Sequence, residues 1–264
     1  MAKKFQQRYE AVKSHDFMKK VLELDPADEK GYKEECTYEI AVWEGRGNKN
    51  PGAIKAFIEA YPDSERFLKD AYNNLAFIYR RDQDAENTAA TYETMLQKFP
   101  NDARAHYSYA SAIFDMKMAD LYEKGLVLNK KAVELDPEME RAAFYNLITY
   151  LSNTEKTEQL LAEFDRALTE QTDNTRIANL YATTIVNMKI EERYDSAIQL
   201  LEKAIEDNPK STYMFFTLHS LFKAKGDMDT AHDYLKKLIE ANPNVPYYKK
   251  ALEDFERELK EKKS

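Results

Sequence analysis

The chain has 264 residues, 39 of them basic and 47 acidic, for a formal net charge of -8. That balance disfavours a general nucleic-acid or anionic-membrane surface, because those partners need a positive field. With 33% charged and 43% apolar residues and only 6 glycines, the composition fits an all-α protein and leaves too few turn residues for an all-β one.

Read from the N-terminus, residues 1–26 are too few for a full repeating unit, and Phe17, Met18, Val21 and Leu24 predict one helix placed like the second of a pair. Met1 to Arg8 is not followed by an apolar signal core, and no run approaches the roughly 18 apolar residues of a membrane span. A cytoplasmic location is therefore expected, and the exposed first helix is a candidate surface for self-association. Residues 27–62 predict a first helix through Tyr32, Cys36, Ile40 and Trp43, a loop over Gly45-Arg46-Gly47-Asn48-Lys49-Asn50, and a second helix begun by Pro51. Gly47 and Gly52 have the separation of a phosphate-binding loop, but Ala53 and Ile54 follow where Lys and Ser/Thr are required, so no nucleotide is expected. Cys36, the only cysteine, has no partner for a disulfide or a zinc site and reads as a small buried residue.

Six helical runs end in a proline, at Pro26, Pro62, Pro100, Pro137, Pro209 and Pro243, with steps of 36, 38, 37, 72 and 34. The long step is two units, with Thr172 where the missing proline would stand. A period of this size marks a repeat array, which is one continuous structure, so a single domain is expected over 1–264. Its units are 27–62, 63–100, 101–137, 138–172, 173–209 and 210–243, with 244–264 as a capping helix striped by Tyr248, Leu252, Phe255 and Leu259.

Each unit carries apolar anchors at steps of three and four on both sides of a polar break. They are Tyr72, Leu75, Ala76 and Tyr79 in 63–100, where Thr88 replaces a small alanine, and His106, Tyr109, Ala110 and Ile113 in 101–137, whose turn has about three extra residues. Phe144, Leu147, Ile148 and Leu151 follow, then Tyr181, Thr184, Ile185 and Met188, then Phe215, Leu218, His219 and Phe222. In the last unit Gly226 suits a left-handed helix end, Asp227 a helix cap, and small Ala231 a close helix contact.

This order of aromatic, Leu, small residue, aromatic, Gly-Asp, Ala, large apolar and Pro resembles the tetratricopeptide repeat over most of the chain. The resemblance implies a right-handed superhelical solenoid of about six helix-turn-helix repeats, with 13–14 helices, and a non-catalytic scaffold that binds a protein or peptide in a concave groove. An accessory module of a larger multidomain protein is the alternative. In the family, the stripe one, five and eight residues beyond the first anchor lines that groove. Here it comprises Asn73, Phe77 and Arg80; Tyr107, Ser111 and Phe114; Tyr145, Thr149 and Ser152; Ala182, Val186 and Lys189; and Phe216, Ser220 and Lys223. Its charges are all positive, so an acidic group is expected near Arg80 or Lys223. Family members that clamp a chaperone's C-terminal carboxylate use Lys and Asn where this chain has Asn73, Phe77, Tyr107 and Ser111, with Asn74 and Asn146 displaced, so that clamp is not assembled.

No catalytic motif, metal-ligand pattern or cofactor signature emerges. The four histidines fall on packing stripes or among charged residues, and the carboxylates are scattered over amphipathic helices.

Overall fold

The computed structural model describes residues 14–48, 50–170 and 174–263, and every regular element among them is helical. The chain divides into two compact units on either side of Asn153 and Thr154. The first contains α1 (14–24), α2 (Lys33–Asn48), α3 (Pro51–Ala60), α4 (Leu68–Arg81), α5 (Ala85–Lys98), α6 (Ala103–Asp115), α7 (Tyr122–Leu135) and α8 (Glu140–Asn153). The second contains α9 (Thr157–Glu170), α10 (Asn174–Met188), α11 (Tyr194–Asp207), α12 (Met214–Lys225), α13 (Met228–Ala241) and α14 (Pro246–Lys263). Helices pair as α2/α3, α4/α5 and α6/α7 in the first unit and as α10/α11 and α12/α13 in the second, which is the all-α hairpin-repeat fold that the sequence period demands. Thr172 lies outside the described residues.

The turns after α4, α6, α8, α10 and α12 have a common backbone. Gln83, Lys117, Glu155, Lys189 and Gly226 all take a left-handed φ, between 53° and 85°. After α4, α6, α10 and α12 the bonding also repeats. The left-handed N–H reaches the carbonyl three residues back (Gln83 to Arg80, 3.1 Å), and the next N–H reaches five back (Asp84 to Tyr79, 2.9 Å). Gly226 and Asp227 do the same to Lys223 and Phe222. This closure satisfies the last carbonyls of the helix, and only at Gly226 is it made by the residue that favours such a φ. Asp84 and Asp227 then cap the second helix with side-chain bonds from the Asn87 and Thr230 amides, and Asp102, between α5 and α6, caps α6 with a bond from the Ala105 amide. The extra residues in the α6–α7 turn form a 3-10 turn at Ala119–Leu121.

Packing explains several irregular positions. Thr88 is fully buried because its hydroxyl donates to the Asp84 carbonyl at 2.6 Å and so needs no other partner. Gly125 lets α7 approach α6, since a Cβ there would stand 2.7 Å from the Phe114 ring. The α14 stripe of Tyr248, Leu252, Phe255 and Leu259 closes the core of Ala231, Leu235 and Leu238.

Three expectations are corrected. The predicted loop at Gly45–Asn50 is helical through Asn48, because Gly45 faces Ile54 and Ile78 and its lack of a side chain serves packing rather than a break; Lys49 lies outside the described residues. In α1, Phe17 and Leu24 are exposed, and the buried residue is His15, stacked on Trp43 at 4.0 Å with its Nε2 3.4 Å from Glu44. In α10 the anchors are Ala178, Tyr181, Ala182 and Ile185, one turn earlier than predicted.

Candidate functional site

The left-handed residue gives α4, α6, α8, α10 and α12 a common origin. Ten, six and three residues before it stand Asn73, Phe77 and Arg80 on α4; Tyr107, Ser111 and Phe114 on α6; Tyr145, Thr149 and Ser152 on α8; and Phe216, Ser220 and Lys223 on α12. On α10 the same positions hold Asn179, Thr183 and Val186. The expected Ala182 is buried there, and Lys189 is the exposed left-handed turn residue rather than part of the row. The reason is a one-turn ambiguity: stripes at steps of three and four repeat after each turn, and the turn backbone removes the choice.

Burial then separates the remaining candidates. Phe77 is 49% exposed, whereas Phe114 is fully buried between Tyr122 and Tyr150, with ring centroids at 6.0 and 5.6 Å. Phe114 therefore belongs to the core, because glycine at position 125 opens a pocket that its ring fills. Asn73, Tyr107, Ser111, Tyr145 and Thr149 are partly exposed. The Thr149 and Ser220 hydroxyls donate to the Tyr145 and Phe216 carbonyls, both at 3.0 Å.

The two row cations are already paired. Arg80 reaches Asp115 at 2.8 Å, where the Ser111 hydroxyl also donates at 3.1 Å. Lys223 reaches Glu258 on α14 at 2.5 Å and lies 5.3 Å over the Phe255 ring, while Tyr247 approaches Phe216 at 6.3 Å. Both cations thus tie their helix to a later one, and neither stands ready as an open anion site.

A residue read as loop in the sequence joins the row instead. The Arg46 guanidinium lies 5.0 Å over the exposed Phe77 ring. Its carbonyl accepts from Arg81 Nη1 at 3.0 Å, as the Phe114 carbonyl accepts from Asn153 at 2.7 Å. These matching bonds place Arg46 one repeat before Arg80. The signal in the sequence was the basic residue in the last turn of a first helix, hidden by two glycines.

Asn74 and Asn146 are buried and committed. Asn74 donates to the Tyr38 hydroxyl at 3.2 Å, and Asn146 donates to Asn129 at 3.0 Å. The perturbed titrating groups are packing groups as well. Burial first, then the Glu93 charge and hydrogen bond, raise the Tyr109 phenol, and burial with the Glu202 bond pushes Tyr234 up to about 12. Burial lowers His219, whose Nδ1 donates to the Ala231 carbonyl at 2.9 Å. Among the described residues, no three His, Cys, Asp or Glu side chains could hold a metal ion, and no helix is long and apolar enough to cross a membrane.

This arrangement of helical hairpins and first-helix rows is that of a tetratricopeptide-like helical-repeat protein. Residues 190–254 match the family described as tetratricopeptide repeat. A tetratricopeptide repeat protein from Parabacteroides merdae has a similar fold, with a TM-score of 0.67 over 96% of this chain and 94% of that one at 14% identity. PilW, a type IV pilus biogenesis factor, gives 0.54 over 83% and 98% at 16% identity. Pseudomonas aeruginosa pilF gives 0.50 over 84% and 97% at 20% identity. No curated protein sequence matches the chain significantly.

Proposed function

We propose that the chain is a non-catalytic scaffold that holds an extended or helical peptide segment of a protein partner against its first-helix rows. The observation that carries this reading is the partial exposure of Phe77, Tyr107 and Tyr145 on three helices of the first unit, while Tyr72, Tyr109 and Phe144 on the same helices are buried. Aromatic side chains left partly in water, beside the polar Asn73, Ser111 and Thr149, suit a surface that gains apolar burial and orienting hydrogen bonds when a segment docks. In the second unit Phe216 and Ser220 form a smaller patch beside Tyr247.

The test is a selection of displayed random peptides on the full chain, followed by anisotropy measurements on synthetic versions. Phe77→Ala combined with Tyr107→Ala should weaken the selected peptides at least about tenfold, since such anchors commonly contribute upward of about 2 kcal/mol. The melting temperature should change little. Peptides that bind this double variant as tightly as the parent would refute a site on this row.

A further inference from the structure

We infer that the first unit's row selects a carboxylate side chain next to an apolar residue in its partner, held by Arg46 over Phe77. This rests on the scaffold reading above and adds the chemistry of the bound segment. Arg80 is paired with Asp115, Arg81 with Asp82 and Lys19 with Glu44. Arg46 is exposed and has no acidic partner among the described residues. A chain with a net charge of -8 thus keeps an uncompensated guanidinium beside its most exposed row aromatic.

The guanidinium is also held in place. Its plane is attracted to the ring face at 5.0 Å, and the backbone beneath it is fixed by the Arg81 bond to the Arg46 carbonyl. An arginine ordered before binding loses less side-chain entropy on meeting a ligand, and its planar fork matches a carboxylate bidentately. The ring offers its uncovered area to an apolar neighbour of that carboxylate, so one aromatic–cation pair reads two adjacent side chains. The acidic net charge makes a polyanion such as nucleic acid a poor occupant, whereas a single carboxylate meets only the local positive charge.

The peptide selection supplies the probe. Peptides displayed on the full chain should be enriched in Asp or Glu adjacent to an apolar residue. As synthetic, C-terminally amidated peptides, their Asp→Asn or Glu→Gln versions should bind the parent chain about 10- to 100-fold more weakly, the range for losing a hydrogen bond to a charged group. The same peptide change should matter little against Arg46→Gln, which leaves the backbone bond to Arg81 in place. If Arg46→Gln lowers the melting temperature, the comparison of charged and neutral peptides on the parent chain decides alone. Peptides that depend on Phe77 but show no acidic enrichment, or keep their affinity when neutralised, overturn this inference and leave the scaffold reading standing. Peptides sensitive to the Phe77→Ala/Tyr107→Ala double variant but not to Phe77→Ala alone overturn this inference only, and failure to select any peptide sensitive to the double variant overturns both.

Discussion

Three residues before the left-handed turn, α4 carries Arg80 and α12 carries Lys223, and each cation meets an acid 35 residues later, Asp115 on α6 and Glu258 on α14. In the first unit α6 and α8 continue the pattern and leave Phe77, Tyr107 and Tyr145 partly exposed. In the second, α14 takes the place of a next first helix, closes over Leu235 and Leu238, and brings Tyr247 to Phe216. A polar-faced helix at that position satisfies the apolar edge that an array otherwise leaves open. The same positions therefore serve an open row in one unit and a cap in the other.

The largest test of this contrast pits two phenylalanines of that row against each other. Phe114→Ala should cost about 3–5 kcal/mol, because it leaves a cavity against Tyr122 and Tyr150, while the half-exposed Phe77→Ala should cost well under that. Urea unfolding of the two variants checks it, and equal losses would mean that the row is packed alike throughout.

A middle-sized effect should come from pH and stay in the second unit. His219 is lowered below its ordinary value of 6.5, first by burial and then by Lys223 and His232, against the opposing Ala231 carbonyl and Glu258. The folded state thus prefers the neutral ring and the unfolded chain takes up the proton first. Stability is complete above about 6.5 and is lost as pH falls toward the lowered folded value. Amide protection factors of α12–α14, taken relative to the intrinsic exchange rate at each pH, should fall over that window, and in His219→Gln they should not. Acid sensitivity that persists in the variant would move the cause elsewhere.

The smallest effect concerns the left-handed residue that opens these turns, a glycine only after α12. Lys117→Gly and Lys189→Gly should each stabilise by about 0.5–1 kcal/mol, since both sites hold a non-glycine residue at φ 53° and 56°. Gly226→Lys, at φ 85°, should do the reverse. Thermal melts of single variants would expose a wrong sign directly.

Much of this was legible in the residues. Gly226 and Asp227 close and cap their helices as their types require, and the α14 stripe packs as its spacing implies. The candidate site was legible only in part. Asn73, Phe77, Tyr107, Ser111, Tyr145 and Thr149 are partly exposed, but the same spacing pointed to Phe114, whose fate depends on the missing side chain at Gly125 in a different helix. In α10, apolar residues at Tyr181, Ile185, Val186 and Met188 allowed a frame displaced by one turn. Arg46 was masked because two glycines looked like a break, and His15 because charged neighbours hid its contact with Trp43.

The sequence by itself determined the period, the all-helical class and most helix ends, because these follow from local chemistry: apolar spacing, capping oxygens, and prolines that stop a helix. The tertiary structure alone decided which aromatics face water, which cations are already paired, and that Arg46 lies over Phe77. Those outcomes depend on side chains about 31 to 39 residues apart meeting across neighbouring helices, and no spacing within a single helix encodes them.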